Sequence, residues 1–399
     1  MKVLLSALAC EPEKGSEPEV GFQTLLAAAS AHEVWAVTLP ESIPPIVRAL
    51  NGDPRASRVH LEGIEFDARG KRIDDLTAAE FHWRYDRWQR EAAVRALELD
   101  RQVDFDVVHH VTLASYWTRA GVAAVRKPLV WGPIGGGVDP PLRLVGELGL
   151  RGMSEAVARV IGRPLMARLP PMMRTQRMAA VIFAQNPDTG RRLRGTGAMR
   201  LLSNAFAVEL TGTMRSGDRT ADLLFAGRLL PWKAPMLALR AFRHVRHREA
   251  VLRFCGDGPE RARLQRAVER WGLGDRVRFE GWVPRPQLLS LLARAGALIH
   301  PAIHEEAGLC IAEALTLGTP VVTLDHGGPS EIVVQWRGTP TALVSARRPE
   351  VTARALAAAV DGFLIDPPPV RKSPLRGMTS FEAEVLRAYE MAGRSPMNG

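Results

Sequence analysis

Cysteine is scarce. The 399 residues hold three, Cys10, Cys255 and Cys310, each in an apolar stretch and without metal-ligand spacing. That argues against a disulfide-stapled secreted fold and against structural zinc, and makes a reduced, cytoplasmic protein the expectation. No apolar run approaches the roughly 20 residues that span a bilayer. The opening MKVLLSALAC has the apolar heart of a signal peptide, but EPEKGSEPE follows at once with no small-residue cleavage site. It reads instead as a first buried strand. Lysine is scarce too, at six of the 53 basic residues, and none sits in a convincing cradle for pyridoxal phosphate. No repeat of solenoid length is visible. No block of basic residues is interleaved with aromatics, as a nucleic-acid face would require.

What is present is enough apolar material, 46% of the chain, for two domains of ordinary size. Net charge is +10 and arginine carries most of it. Such a surface attracts nucleotide diphosphates, acidic lipids or nucleic acid. The alternative is a compositional bias towards arginine spread over a solvated surface.

Taken in order, residues 2–9 predict a strand, 10–21 a loop, 22–31 a helix and 33–38 a second strand. Residues 76–101 predict a long helix whose Trp83, Tyr85 and Trp88 serve either the core or an acceptor pocket. Residues 103–111 predict a strand ending in His109 and His110, and 128–133 another, followed by Gly135-Gly136-Gly137. A triple glycine at a strand end points to unusual backbone angles, a close ligand or a loop tip. The Arg-rich run 138–178 reads as helical, either a cover over a sheet or a face for membrane headgroups. Strands are expected at 180–185, 222–226, 251–255, 277–280, 297–301 and 319–324, with helices between. That alternation means parallel, doubly wound α/β architecture. Residues 211–220 read as loop, 366–374 as linker and 380–392 as a terminal helix.

The most informative stretch is HEEAGLCIAEALTLGTPVVTLDHGGPSEI, residues 304–332. Glu305 and Glu313 stand eight positions apart around Gly308. The strand Gly318 to Val322 follows, then Gly327-Gly328 with Glu331. Glycines at a turn that feeds a helix make a ready anion site, because the first helical amides lack partners.

These residues resemble the donor-site signature of the retaining family 4 glycosyltransferases. The aromatic which that family carries before the central glycine is Ala307 here. The resemblance implies the GT-B fold, with two Rossmann-like domains facing a central cleft. Residues 1–205, joined by a returning helix in 375–399, would bind the acceptor, and 206–374 the nucleotide-sugar donor. It implies that Arg228 and Lys233 meet the donor diphosphate and that amides of Gly308 and Leu309 add dipole stabilisation. Glu313 would meet the ribose hydroxyls and Glu305 the sugar. Trp282 and Val283 would flank the base, with Asp257 nearby. Gly15 and Ser16 in the first loop, and Gly136, would also border the donor. A histidine after the strand would meet the sugar; alternation does not separate His109 from His110, and His110 is preferred.

The resemblance further implies transfer with retention of configuration, from a UDP- or GDP-linked sugar to an acceptor hydroxyl, with no cofactor and no metal. Asp104-Phe105-Asp106 has the Asp-x-Asp pattern of metal-dependent transferases. However, it precedes its strand, at the end away from the site, where carboxylates cap or solvate. A basic membrane- or nucleic-acid-binding protein and a sugar-nucleotide epimerase remain the alternatives. Nucleic acid is not an expected partner, whereas an anionic inner-membrane surface is a candidate one.

Overall fold

The computed structural model describes residues 1–67, 70, 76–194, 197–205, 219–336, 339–366 and 378–394. The loop expected at 211–220 therefore falls largely outside the described residues, as does most of the 366–374 linker. In chain order the regular elements are β1 (Lys2–Ser6), α1 (Ser16–Ala29), β2 (Glu33–Thr38), α2 (Ile43–Ala49), β3 (Val59–Gly63), α3 (Ala78–Val103), β4 (Val107–His110) and β5 (Leu129–Ile134). Then come α4 (Gly149–Val157), α5 (Arg163–Met166), α6 (Pro170–Met178), β6 (Ala179–Ala184), α7 (Pro187–Arg192) and β7 (Ala198–Leu201). The later half holds β8 (Leu223–Ala226), α8 (Pro235–Phe242), β9 (Leu252–Cys255), α9 (Arg261–Arg270), β10 (Val277–Gly281), α10 (Arg285–Arg294) and β11 (Ala297–His300). It closes with α11 (Leu309–Thr316), β12 (Val321–Leu324), α12 (Gly327–Gln335), β13 (Thr341–Val344), α13 (Pro349–Ile365) and α14 (Met378–Arg394).

The chain divides into two compact units. One comprises Met1–Gly137, Ile161–Asn204 and Thr379–Gly399; the other comprises Val138–Val160 and Ala205–Met378. The first contains a seven-stranded sheet in the order β3-β2-β1-β4-β5-β6-β7, and the second a six-stranded sheet in the order β10-β9-β8-β11-β12-β13. Every pairing between these strands is parallel. Relabelled from its own first strand, each sheet has the Rossmann order 3-2-1-4-5-6, with β7 added to the first. That order reverses direction beside β1 and β8, and in such sheets ligands bind beyond the carboxyl ends of the strands at the reversal.

Near-continuous apolar strands make both sheets possible. β1, β4, β5, β8, β11 and β12 are buried along nearly their whole lengths, as parallel strands covered on both faces must be. In the first unit Leu4, Trp88, Phe105, Trp131 and Ile182 share one core. Tyr85 and Trp88 of α3 are buried there, whereas Trp83 is exposed. α3 begins with a capping box, Thr77 with Glu80, which fixes its start two residues later than the sequence pattern suggests. In the second unit Phe225, Leu237, Phe242, Ile299 and Val360 form one core, and Leu224, Leu298, Ile311 and Ile332 form another. Leu144, Leu148 and Ala156 join the former, so the 3-10 turn Leu142–Leu148 and α4 pack on this unit's core.

Two local expectations need correction. The first loop is shorter than read: α1 starts at Ser16, with Gly15 at φ 66° as its N-cap, so Ser16, Glu17 and Pro18 form the first helical turn. Proline is tolerated there because the first-turn amides have no helical acceptor anyway. Gly327-Gly328 is likewise not a free turn but the opening of α12.

Candidate functional site

The loop after β8 is built by backbone rather than by side chains. The amide of Gly227 donates to the Cys255 carbonyl at 3.0 Å, Leu229 to the Asp257 carbonyl at 2.8 Å and Glu260 to the Leu229 carbonyl at 3.1 Å. A Cβ on Gly256 would stand 2.0 Å from the Gly227 carbonyl oxygen, so only glycine lets the two loops touch. One turn of 3-10 helix, Pro231–Lys233, follows and sets Lys233 at the reversal of the sheet. From the other side comes the loop after β11. Amides of Ile303 and His304 donate to the Trp232 carbonyl, at 2.8 and 3.2 Å.

These two loops bring Lys233 and Glu305 together in an ion pair between side chains 23% and 15% exposed. His300, at the carboxyl end of β11, places Nε2 3.4 Å from Oε2 of Glu305. Its Nδ1 lies 3.5 Å from Sγ of Cys310. Burial first, then the Lys233 charge, pull the His300 pKa down to about 3. Burial pushes the Cys310 thiol up to about 11. The thiol is therefore protonated and donates to Nδ1, which leaves the Nε2 proton facing Glu305. Burial also lowers the Lys233 pKa, and the neighbouring Arg228 lowers it further, so the two cations feel one another. His300 was not anticipated from the sequence; a lone histidine at a strand end gave no signal of its own.

Gly308, at φ 92°, is the N-cap of α11, and Leu309 is its first residue. Glu313, in the middle of that helix, is 4% exposed. Its Oε1 accepts from Nε of Arg285 at 3.0 Å. Burial raises its pKa, and the charge and hydrogen bond of Arg285 work against that rise. Glu306 lies ahead of α11, whose first residue is Leu309. It stays in the loop, where Oε1 accepts from the Val138 amide at 3.3 Å and lies 3.5 Å from Nε2 of His304. His304 also bonds the Val138 carbonyl through Nδ1 and accepts from Arg159. The guanidinium of Arg159 lies over the Trp232 ring. Gly327 and Gly328 serve this loop directly. The Gly328 amide donates to the Glu305 carbonyl at 3.0 Å, and a Cβ on Gly328 would stand 2.1 Å from the Glu306 carbonyl oxygen. Asp257 pairs with Arg261, Trp282 is 78% exposed beyond β10, and Val283 packs on the second core of this unit.

The first unit places its candidates differently. His109 and His110 are fully buried. His109 bonds Tyr389 Oη through Nδ1 and the Gly132 carbonyl through Nε2, each at 2.8 Å. His110 bonds Tyr85 Oη at 3.1 Å and Ser6 Oγ at 3.3 Å. Burial lowers their pKa values to about 4 and about 3. With both ring nitrogens engaged, these are the contacts of neutral histidines that tie strands together. Gly15 and Ser16 open α1, beside Glu17, whose carboxylate accepts from the Leu113 amide at 2.8 Å and from Asn204 at 2.9 Å. Gly136, at φ 97°, faces Trp117, and Gly137 packs so closely on Thr189 that a Cβ would stand 2.3 Å from its Cα. The triple glycine is thus explained within the unit by backbone angle and close packing. Asp104 caps α3 and pairs with Lys127, while Asp106 accepts from the Lys2 amide. Among the described residues no group of three or more His, Cys, Asp or Glu is placed to hold a metal.

Two doubly wound parallel units in one chain, the later one carrying a cation–carboxylate cluster at its sheet reversal, define the GT-B class of α/β enzymes. Comparison with known proteins agrees. Residues 215–374 match the family model described as glycosyl transferases group 1. The 2-deoxystreptamine glucosyltransferase of Streptomyces kanamyceticus is 30% identical over 289 residues, 72% of this chain and 67% of that protein. A D-inositol 3-phosphate glycosyltransferase of Streptomyces griseus is 36% identical over 144 residues, 33% of this chain and 30% of its own. Among solved structures, sucrose-phosphate synthase from Thermosynechococcus elongatus superposes with a TM-score of 0.62 at 17% identity, covering 98% of this chain and 96% of its own. Anabaena HepE in complex with UDP and glucose gives 0.55 at 16%, covering 99% and 95%. The chain belongs to the group 1 glycosyltransferases.

Proposed function

We propose that the protein transfers a sugar from a nucleotide-diphosphate sugar to an acceptor hydroxyl, with retention of anomeric configuration and without a metal ion. The observation that carries this reading is the Lys233–Glu305 pair at the reversal of the second sheet, with Arg228 close enough to depress the Lys233 pKa. In the transfer, the bond from the anomeric carbon to the diphosphate oxygen breaks, and a bond to the acceptor oxygen forms on the same face. Negative charge grows on the departing diphosphate. Lys233, released from Glu305, and Arg228 meet that charge, the one as a compact ammonium and the other as a planar fork. Glu305 is then left for the sugar and Glu313 for the ribose. The amides of Gly308 and Leu309 add the positive end of α11. Trp282 and Val283 flank the base.

HepE was crystallised with UDP, so UDP-sugars are the first donors to test and GDP-sugars the second. Relatives named for 2-deoxystreptamine and D-inositol 3-phosphate make cyclitols the first acceptors to test. The experiment is a thermal-shift screen against UDP-, GDP-, ADP- and dTDP-sugars, then turnover with and without EDTA. A donor at 100 times its dissociation constant stabilises by about 2.7 kcal/mol. No shift with any sugar nucleotide would sink the donor reading. Turnover lost in EDTA and restored by Mn²⁺ would sink the metal-free mechanism and return attention to Asp104 and Asp106.

A second reading concerns place. α4 buries Gly152 and Ala156 but exposes Met153 and Val157, with Leu142, Arg143 and Val160 exposed nearby. An apolar stripe beside arginine supports docking on an anionic membrane surface. No helix among the described residues is long and apolar enough to cross a membrane. Co-sedimentation with phosphatidylglycerol vesicles but not with phosphatidylcholine vesicles is the expected result, and Val157→Glu should abolish it.

A further inference from the structure

Arg285 is the first residue of α10, the end of the helix where a positive charge is least favourable. Among the described residues it is nevertheless spent on one side-chain hydrogen bond, Nε to Oε1 of Glu313 at 3.0 Å. Glu313 is a carboxylate in the middle of an apolar helix, with Ile311, Ala312, Ala314 and Leu315 buried around it. Burying a carboxylate this far favours its neutral form unless a cation compensates. Among the described residues the other oxygen, Oε2, accepts from no side chain and no amide. A nearly buried carboxylate with one oxygen held and the other unclaimed is a group prepared for a ligand with hydroxyls.

We propose that Arg285 is a positioning residue for donor binding: through Oε1 it holds Glu313 ionised and in one orientation, so that Oε2 accepts from the ribose hydroxyls. This rests on the donor-site reading above and adds a role to a residue outside the signature that suggested it.

The elements packed against α11 bring other titratable or charged groups: Arg294 on α10, His300 on β11 and Glu331 on α12, with Cys310 on α11 itself. His300 and Cys310 remain uncharged near neutrality. The forces acting on Glu313 are burial, which raises its pKa, and Arg285, which lowers it by charge and by hydrogen bond. Removing the guanidinium leaves burial unopposed. The Glu313 pKa then rises further, and the carboxylate is lost at a higher pH than in the wild type.

The test is calorimetric binding of UDP, GDP, ADP and dTDP to the full chain, measured over a series of pH values on both sides of neutrality. The variants are Arg285→Gln, Arg285→Lys, Glu313→Gln and the double Arg285→Gln/Glu313→Gln. For whichever nucleotide binds the wild type, Arg285→Gln should weaken binding by roughly tenfold or more, the cost of one lost charge-assisted contact. That loss should deepen as pH falls, and Arg285→Lys should recover most of it. Glu313→Gln should bind weakly at every pH, and the double variant no worse. Should Glu313→Gln lose binding while Arg285→Gln binds like wild type, Arg285 is a surface residue and this inference fails alone. An equal loss from Arg285→Gln with or without Glu313 also overturns it. If Glu313→Gln binds every nucleotide as wild type does, or if none binds the wild type, the donor-site reading falls and takes the inference with it. Arg285 is about one-third exposed, and circular dichroism of each variant separates lost binding from lost fold. If Arg285→Gln does not fold, Arg285→Lys and the pH dependence of its binding carry the comparison.

Discussion

The hydroxyl of Tyr389 lies 2.8 Å from Nδ1 of His109, although 280 positions separate them in the chain. Both are fully buried, and the Gly132 carbonyl occupies the other ring nitrogen of His109. The contact fastens the last described helix to the carboxyl end of β4. Arg200 and Glu384 add an ion pair from β7 to the same helix. Tyr389→Phe leaves a buried imidazole nitrogen without a partner, which costs about 1–3 kcal/mol. Urea melts at neutral pH should show that loss with an unchanged slope. Losing less than a few tenths of a kcal/mol would mean the bond is immaterial to stability.

Three buried histidines make stability depend on pH. His109, His110 and His300 have folded-state pKa values of about 4, about 3 and about 3, against 6.5 when unfolded. Because the depressed groups are neutral in the folded state, their contribution is fully present above pH 6.5 and is lost as pH falls from there towards the folded values, about 4 for His109 and about 3 for His110 and His300. In that window the unfolded chain binds up to three more protons. Each proton steepens the fall by about 1.4 kcal/mol per pH unit. Denaturant midpoints from pH 7 to pH 4.5 should drop accordingly, and Tyr389→Phe should leave most of the slope in place. A flat profile over this range would show that these rings are not buried neutral.

Replacing Glu305 by Gln removes the charge facing Lys233. The donor reading expects turnover to fall by roughly a hundredfold, about 3 kcal/mol in the barrier, while the protein stays folded. Lys233→Ala should fall comparably. Glu306→Gln keeps an acceptor for the Val138 amide and should change both rate and stability little. If Glu306→Gln is inactive and Glu305→Gln active, the two neighbours have been assigned the wrong roles.

Gly328→Ala adds a carbon 2.1 Å from the Glu306 carbonyl oxygen, a separation real contacts do not reach. The loop carrying Glu305 must shift. We expect about 1–3 kcal/mol lost in chemical denaturation, the usual cost of overpacking, together with weakened donor binding. Gly362→Ala meets nothing within 4 Å in helix α13 and is the control that should be neutral or stabilising.

Much of this was legible in the sequence because burial on both faces writes a parallel strand as an apolar run. β2 was read at its observed bounds, and β1, β5, β6, β8 and β9 to within a few residues. The strands not foreseen are the edge strands β3, β7 and β13, whose side chains are mostly half-buried or exposed and so carry no such run. The start of α1 was missed because Gly-Ser-Glu-Pro is turn chemistry in isolation, and only the tertiary fold shows proline tolerated in a first turn. Within the site, the spacing of Glu305 and Glu313 was visible, but their partners were not. Arg285 and His300 come from other strand–helix units, and local spacing says nothing about such contacts. The glycines of 327–328 were read as room for a ligand, whereas the neighbour they admit is the backbone of Glu305 and Glu306.

The first unit is assembled from three separated stretches of chain, the last of them beginning at Thr379. Domains made in sequence usually fold in sequence, the earlier ones closing while later residues are still being added. Here that order is broken. The strands that form the centre of the first sheet are synthesised early, yet the helix bearing Tyr389 and Glu384 leaves the ribosome only after every strand of the second sheet. During that interval His109 has no tyrosine beside it. A chain stopped short of Met378 would carry every strand of both sheets, yet the sheet made first would lack the helix that covers His109.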